Sequence, residues 1–316
     1  RLLKLVPDDT NIDFLKWSKP VVIGSLTLLV IGLGFGIYRG NDVLGVDFAG
    51  GDSVMLGYTE QVGVDDLRSA IQQEVEGDVM IQYQSSLVDD EQTLQVTAPF
   101  GAGEKVRDIL LRDFPEAGFQ LMAIDNVGPV IGAEIMRSAI VAALLAALGI
   151  LLYVAMRYEF SFAAAAIVAI VHDILITMGV YFISGRELNA PLVAAVLTII
   201  GFSINDTIVI FDRIREDLML GVRGRFVDVI NRALNQTLSR TIITSGTLFL
   251  ATLSLYLFGG SVINDFAFFF LVGIIAGTYS TIYIASAFVL WWHKGERPKM
   301  ASSQVYAEGT AATARV

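Results

Sequence analysis

The sequence predicts a polytopic α-helical membrane protein with six transmembrane helices and one α+β extracytoplasmic domain inserted after the first helix. Three observations lead to this fold class. The 316 residues are 54% hydrophobic and 17% charged, whereas soluble domains average about 45–50% apolar and about 25% charged residues. Six segments are long and apolar enough to cross a bilayer. Between Gly40 and Arg137, where no such segment occurs, the chain has 18 acidic and five basic residues.

The composition also limits the chemistry. The chain contains no cysteine, which excludes disulfides, thiolate metal sites and a cysteine nucleophile. With only two histidines, His172 and His293, zinc sites and Ser–His–Asp triads are poor candidates. The acidic segment disfavours nucleic acid as a partner. We therefore expect no chemical catalysis, no cofactor and no metal.

The predicted elements follow one another along the chain. Residues 1–20 form an N-terminal flank, 21–38 the first transmembrane helix, 39–127 the inserted domain, 128–294 a five-helix membrane region and 295–316 a polar, disordered tail. The six predicted spans are 21–38, 138–156, 160–183, 191–211, 241–258 and 266–292. No small-residue cleavage site follows Tyr38, so we expect the first span to be a retained anchor and not a signal peptide.

The loop after the fourth span has a helical pattern of its own. Apolar residues recur there with a period of 3.6, at Phe226, Val229, Ile230, Ala233 and Leu234. The pattern predicts a cytoplasmic amphipathic helix near 213–236 that lies on the membrane surface. Basic residues concentrate in this loop, in the N-terminal flank and in the tail. The positive-inside rule then places both termini in the cytoplasm and residues of about 39–137 outside.

The inserted domain alternates strand and helix patterns in the order βαββαβ, which is typical of a ferredoxin-like fold. The predicted strands are 44–58, 79–84, 93–97 and 119–126, and the predicted helices are 65–75 and 104–114. The turn Asp89-Asp90-Glu91 joins the second and third strands. Gly50-Gly51 interrupts the first strand, where it predicts either a β-bulge or a close approach to a ligand.

Two aspartates lie inside predicted spans. Asp173 is near the middle of the third span beside His172, and Asp206 lies within the fourth span after Ser203 and Asn205. A carboxylate at the centre of a membrane helix costs about 2.5–3.5 kcal/mol on insertion scales, and such residues often mark ion or proton pathways. Interhelical hydrogen bonding is the alternative explanation for each of them. It is the stronger alternative for the polar pair of His172 and Asp173, which could simply hold two helices together.

The fifth span has a polar stripe at intervals of three and four residues, which indicates a close helix–helix contact or a wet pathway. Its members are Thr237, Arg240, Thr241, Thr244, Thr247, Ala251 and Ser254. The position of Arg240 at a cytoplasmic helix end is explained by the positive-inside rule alone. The alternative is that Arg240 pairs with Asp206 and exchanges partners when that carboxylate is protonated.

The motif around the second of these aspartates identifies a family. Residues 200–216, IGFSINDTIVIFDRIRE, and 236–245, QTLSRTIITS, resemble the SecF family of bacterial protein-export membrane subunits. The segments 47–51 (DFAGG), 127–129 (VGP) and 277–280 (GTYS) also match its pattern. The resemblance extends from about 47 to 292. Phe202 stands where tyrosine is common in the family, and Ala49 stands where threonine is frequent.

The resemblance implies one half of a resistance-nodulation-division (RND) type transporter. It further implies an ion-gradient-driven auxiliary subunit that acts with a SecD-like partner, beside the SecYEG channel, to complete the export of unfolded preproteins across the bacterial plasma (inner) membrane. Asp206 and Arg240 correspond to the family's ion-pathway residues, and Thr244 joins the same relay. Asn205, Ser203 and Thr241 are expected to support them. Membrane lipid is the surrounding medium, and H⁺ and Na⁺ both fit as the transported ion.

Three other functions stay open at this stage. One is a half-unit of an RND exporter of small molecules, which a single inserted domain of about 90 residues disfavours. Another is a non-transporting scaffold in which Asp206 and Arg240 form a static salt bridge. The third is an intramembrane protease that uses Asp173 and Asp206, although the sequence around them lacks an aspartyl-protease context.

Overall fold

The computed structural model describes residues 10–77, 79–85, 92–157 and 159–298. The predicted turn at 89–91, the first part of the predicted flank (1–9) and most of the predicted tail (299–316) lie outside these residues. In chain order the helices are α1 (Ser18–Arg39), α2 (Val46–Ala49), α3 (Val64–Glu74), α4 (Gly103–Asp113), α5 (Pro129–Arg157), α6 (Phe160–Ile183), α7 (Pro191–Met219), α8 (Phe226–Phe258), α9 (Gly260–Ser280) and α10 (Ser286–Trp292). The strands are β1 (Gly51–Gly57), β2 (Met80–Ser85), β3 (Gln92–Ala98) and β4 (Gln120–Val127).

Six helical segments in the described part of the chain are long and apolar enough to cross a membrane. This number confirms the prediction of a helical membrane protein with an inserted sheet domain. More than half of the apolar stretches of α6 and of the last span are buried, whereas few residues of α5 and α8 are. The centre of the bundle is therefore formed by α6, α7 and α9, and α5 and α8 present broad apolar faces outward.

Close contact between α1 and α6 depends on glycine. A Cβ atom on Gly32 would lie 2.5 Å from the Cα atom of Gly179, and one on Gly36 would lie 2.5 Å from the ring of Phe182. Small residues of this kind let membrane helices approach closely where lipid supplies no hydrophobic driving force. The first span is thereby fixed along the buried central helix.

The inserted domain has the predicted ferredoxin-like topology. Its four antiparallel strands lie in the order β2-β3-β1-β4, and the βαββαβ order of elements is observed. Helices α3 and α4 cover one face of the sheet. The core between them and the sheet is built from fully buried apolar side chains: Val54, Leu56, Leu67, Ile71, Leu94, Val96, Val106 and Leu110.

The prediction for the start of the first strand is wrong. Residues 40–49 form a 3₁₀ turn and the short helix α2, and β1 begins at Gly51. Gly50 has φ of 77° and ends α2, so the glycine pair is not a bulge within a strand. A Cβ atom on Gly50 would lie 2.7 Å from the Cα atom of Pro129, the first residue of α5. The close approach is therefore to the chain's own backbone.

The spans also differ from the prediction at the end far from the inserted domain. Helix α7 continues to Met219, and α8 begins at Phe226 and runs unbroken to Phe258. The predicted amphipathic helix near 213–236 is thus not a separate helix: its residues 213–219 end α7, and its apolar positions from Phe226 to Leu234 begin α8. These apolar side chains pack into a buried cluster with Phe162, Phe211 and Ile214. Between Phe226 and Phe258 there is no proline, so nothing interrupts the hydrogen bonding of the helix.

Backbone hydrogen bonds join the inserted domain to the loop between α6 and α7 (184–190). The N–H of Leu188 donates to the carbonyl of Val43, and the N–H of Gly45 donates to the carbonyl of Leu188, both at 2.7 Å. Ala190, directly before Pro191 of α7, donates its N–H to Oδ2 of Asp47 at 2.7 Å. We call this contact the domain junction. It ties α7 mechanically to the sheet domain.

Candidate ion pathway in the membrane helices

Asp206 is 1% exposed and lies in the middle of α7. Its neighbours on α8 are hydroxyl groups: Thr244 Oγ1 lies 3.4 Å from Oδ1, and Ser245 Oγ lies 3.4 Å from Oδ2. Both hydroxyls are at the long end of the hydrogen-bond range. The carboxyl group is therefore held loosely, in surroundings that can serve its charged or its protonated form.

The hydroxyl of Thr244 has three competing acceptors. Besides Asp206, its Oγ1 lies 3.0 Å from the carbonyl oxygen of Arg240. A hydroxyl carries one hydrogen, so it can donate to only one of them at a time. It serves Asp206 best when the carboxylate is charged, and it can return to the helix backbone when the carboxyl is protonated. Thr241, also predicted as a supporting residue, is buried and offers its carbonyl oxygen to the same hydroxyl at 3.1 Å.

Arg240 is exposed on α8, one turn before Thr244. No salt bridge joins Arg240 to Asp206 in the described part of the chain, although the positive charge of Arg240 acts on that carboxylate without direct contact. The static ion pair required by the scaffold hypothesis is thus not formed here. Arg240 lies on a face that is open to a neighbouring molecule, together with Thr247 and Ser254 of the predicted stripe.

The predicted stripe divides into two faces. Thr237 and Thr241 point into the bundle, and Arg240 and Thr247 point out of it. Sequence reasoning missed Ser245, although it is buried and follows Thr241 at an interval of four residues, in the same row. It also missed Thr278 of α9, whose Oγ1 donates to Ser245 Oγ at 3.0 Å. A continuous hydroxyl chain therefore extends from Asp206 to α9.

Two supporting residues of the predicted site lie apart from Asp206. Ser203 is buried and donates to Oδ2 of Asp173 at 2.6 Å, so its partner is the other aspartate. Asn205 is exposed and makes no hydrogen bond with Asp206 within the described residues. The reason is helix geometry, since a neighbour in sequence lies about 100° around the helix.

His172 and Asp173 belong to a second buried network. Nδ1 of His172 lies 3.0 Å from Oδ1 of Asp173. Nε2 of the same ring contacts the hydroxyl of Ser25 on α1 and lies 3.3 Å from the hydroxyl of Tyr279 on α9. With Ser203 of α7, the network joins four helices, which is more than the two that the sequence indicated. Ser25 and Tyr279 were not predicted, since no periodicity relates helices so distant in sequence.

The domain junction contains a buried acidic residue, Glu187, which is 8% exposed. Burial raises the pKa of Glu187 to about 7, against the opposing effect of the nearby positive charge of Arg39. Gln82 of β2 donates through Nε2 to Gly185 O at 3.1 Å and reaches Oε1 of Glu187 at 3.4 Å. This carboxyl group therefore titrates near neutral pH between the membrane helices and the sheet domain.

No group of three metal-ligating side chains converges anywhere in the described ranges. The chemistry that these residues can perform is the binding and release of a proton or a small cation by carboxyl, hydroxyl and imidazole groups.

Known proteins with similar sequences are membrane proteins of protein export. Residues 109–295 match the family model described as protein export membrane protein SecD/SecF, C-terminal. The protein translocase subunit SecF of Calditerrivibrio nitroreducens is 42% identical over 92% of this chain and 96% of its own length. SecF of Vibrio alginolyticus is 34% identical over 92% of both chains.

Solved structures show the same architecture. The crystal structure of SecDF from Thermus thermophilus, described as a translocon-associated membrane protein, is similar with a TM-score of 0.81 and 37% identity over 91% of this chain. A SecDF structure in a super-membrane-facing form is similar with a TM-score of 0.66 and 36% identity over 96% of this chain. The chain spans 39% and 40% of the length of these two SecDF chains.

Proposed function

This chain belongs to the SecF family of protein-export membrane proteins, and from that premise we propose how it works as an auxiliary subunit of the Sec protein translocase. Its activity is driven by an ion gradient across the bacterial inner membrane. It acts with a SecD-like subunit, since the SecDF relatives are more than twice as long as this chain and contain it as one part. The SecYEG channel and unfolded preproteins are its further partners, and both of its termini are cytoplasmic.

One observation carries this proposal: a buried carboxyl group, Asp206, is surrounded by hydroxyls and has no salt-bridge partner in the described residues. Such a group is costly to keep charged within a membrane. Binding a proton or a sodium ion removes that cost, and releasing the ion restores it. Each cycle of binding and release thus changes which arrangement of α7 and α8 is preferred.

Thr244 and Arg240 act with Asp206 in this proposal. When Asp206 is charged, the hydroxyl of Thr244 turns toward it and Arg240 is attracted across the gap. When Asp206 has bound an ion, the hydroxyl returns to the carbonyl of Arg240 and the arginine is released. The exposed face of α8 that carries Arg240 is the face that we assign to the SecD-like partner.

The driving force is sufficient for a conformational change. Moving one charge through the membrane potential supplies about 2.3 kcal/mol per 100 mV. Since about 1.4 kcal/mol is a factor of ten in an equilibrium, one ion can bias two conformations by more than tenfold. A shift of α7 reaches the inserted domain through the domain junction, because Ala190 at the start of α7 is bonded to Asp47.

The test is late-stage translocation in vesicles that contain this chain, its SecD-like partner and the export channel. ATP is exhausted after a precursor has partly crossed, and a proton or a sodium gradient is then imposed separately. We expect one gradient to drive completion in wild type and neither to do so in Asp206→Asn. The control is Glu104→Gln, which removes an exposed carboxylate of the inserted domain.

The scaffold alternative makes the opposite prediction. If the two charges only hold helices together, replacing both, by Asp206→Asn with Arg240→Gln, leaves completion unchanged. Equal completion in wild type and in this double variant would refute ion coupling at Asp206.

A further inference from the structure

The second buried network connects the four helices that surround the middle of the bundle. Helix α6 supplies His172 and Asp173, α1 supplies Ser25, α7 supplies Ser203 and α9 supplies Tyr279. Asp173 is completely buried and His172 is 7% exposed. If the network only held two helices together, one of these hydrogen bonds would be sufficient.

The carboxyl group of Asp173 has both oxygens engaged. Oδ2 accepts a hydrogen bond from Ser203 at 2.6 Å, and Oδ1 faces Nδ1 of His172 at 3.0 Å. A carboxylate can only accept, so Nδ1 is the donor when Asp173 is charged. Within the described residues no lysine or arginine forms a salt bridge with Asp173. The imidazole ring is therefore the available source of positive charge for it.

The net charge of His172 and Asp173 indicates that the ligand of this pair is a proton. With a neutral imidazole, the pair carries one net negative charge inside the membrane, which is costly. With one more proton, on Nε2, the pair is an imidazolium and a carboxylate, and its net charge is zero. We propose that His172 and Asp173 form a proton-binding site separate from Asp206, and that Ser25 transmits its occupancy to α1.

Proton uptake reverses the hydrogen bonds on the other side of the ring. In the neutral ring Nε2 has a lone pair and accepts from the hydroxyl of Ser25 or Tyr279. After a proton is added, Nε2–H donates, and the hydroxyl it meets must turn to accept. The N–H bond forms as an O–H bond of hydronium breaks, and the reverse step returns the proton to water. The contact between α6 and α1 thus has two distinct states.

The groups that face the site from neighbouring helices leave His172 as the residue that changes charge. On α1 the hydroxyl of Ser25 contacts the ring, and on α9 the phenol of Tyr279 lies 3.3 Å from it. On α7 Asp206 lies three residues beyond Ser203, and its carboxyl group faces the hydroxyls of α8 instead. Arg240 acts on Asp206, and within the described residues it forms no salt bridge with Asp173.

Helix α1 connects this buried network to the inserted domain. Helix α1 passes Gly179 of α6 in direct backbone contact and ends at Arg39, whose Nη1 donates to Arg186 O in the domain junction at 2.8 Å. A change at Ser25 therefore acts on the same junction as a change at Asp206, but through a different helix. This role rests on the proposed ion-coupled function, whereas proton binding itself can be measured without translocation.

The chain offers a clean spectroscopic test, because it contains only two histidines. His293, the second one, contacts Ser161 Oγ at 2.9 Å near the far end of the bundle. The purified complex, carrying a tag without histidine, is labelled with ¹⁵N-histidine in the variant His293→Gln, so that only His172 of this chain is followed. The partner subunits are added unlabelled. Spectra are recorded from pH 5 to pH 9 in sodium-free buffer.

We expect both ring nitrogens of His172 to be protonated at low pH, and Nε2 alone to lose its proton as the pH rises. In Asp173→Asn the charged ring should be lost at a lower pH, since its counter-charge is gone. In Ser203→Ala, which keeps the carboxylate, the charged ring should persist at least to the pH at which wild type loses it, since its counter-charge remains and is less well solvated.

Three results would overturn the proposal. One is a neutral ring with a single tautomer throughout the pH range, and another is a titration that Asp173→Asn does not alter. The third is a spectrum that responds to sodium at fixed pH instead of to protons. Ser25→Ala with rescue by Ser25→Thr then tests the transmission: titration of His172 should persist in Ser25→Ala, while gradient-driven completion falls and returns in Ser25→Thr.

Discussion

Replacing Glu187 by glutamine should make the domain junction insensitive to pH. In wild type, burial raises the pKa of Glu187 from its ordinary value of 4.5 to about 7. The junction is closed when its hydrogen bonds from Gly45, Leu188 and Ala190 are formed, and open when they are broken. A carboxyl group whose pKa is raised by burial in the closed junction binds its proton more tightly there than in the open one. The junction is thus most stable at low pH, and this stabilisation is lost as the pH rises from about 4.5 through about 7.

The size of the effect follows from the difference between the two pKa values. At about 1.36 kcal/mol per pH unit, the closed junction loses about 3 kcal/mol, or roughly two orders of magnitude in its closing equilibrium. Glutamine keeps the shape and cannot ionise, so it removes the dependence on pH. The variant should keep the junction as closed at pH 8 as wild type is at pH 5.

Amide hydrogen exchange measures this opening directly, because three backbone N–H groups close the junction. They belong to Gly45, Leu188 and Ala190. After correction for the intrinsic pH dependence of exchange, their protection should fall between pH 5 and pH 8 in wild type and stay constant in Glu187→Gln. Amides of the inserted sheet, such as that of Leu56, provide an internal control. Equal protection at both pH values in wild type would show that ionisation of Glu187 does not open the junction.

Three further predictions concern packing and the hydroxyl chain. Gly32→Leu should displace α1 from α6 and destabilise the fold by about 1–3 kcal/mol or more through overpacking, which lowers the melting temperature. The control is Gly34→Leu, whose side chain meets no atom within 4 Å and should leave the melting temperature unchanged. Equal melting temperatures of the two variants would contradict the close contact. Leu56→Ala should destabilise the inserted domain by about 2–5 kcal/mol in denaturant unfolding, and an intact domain would disprove its role in the core. Thr244→Val should lower gradient-driven completion of translocation about tenfold or more, because a hydrogen bond to a charged group contributes about 1.5–3 kcal/mol. Thr247→Val is the control. A Thr244→Val variant with wild-type activity would exclude the hydroxyl from the relay.

The architecture could be read from the sequence because its signals are local. Continuous apolar runs predicted the number of spans, and alternating strand and helix patterns predicted the sheet domain. Errors occurred where a local pattern has two solutions. The segment at Phe226 has the periodicity of a surface helix, and the same periodicity lets it pack against Phe211 and Ile214 as the start of a longer one.

The candidate site was predictable in part for the same reason. Asp206 and Thr244 stand out because polar residues are rare in spans, and their side chains lie 3.4 Å apart. The partners of His172 could not be predicted, since Ser25 and Tyr279 belong to the first and last spans and only the folded bundle brings them to one ring. Glu187 lies in a short polar loop of the sequence, and the residues beside it give no signal that predicts its burial.

The last span contains one wide turn, a π-helical segment from Thr281 to Ala285 that separates α9 from α10. Ser286 covers it by donating its hydroxyl to the carbonyl of Thr281 at 3.1 Å. A wide turn holds one residue more than a regular turn, so the part of the helix beyond it is rotated by about 100° relative to an unbroken α-helix. Thr281, the first residue of this turn, lies 3.2 Å from Thr207, the residue after Asp206. The extra residue therefore sets which face of α10 packs against the bundle, one turn away from the candidate ion site.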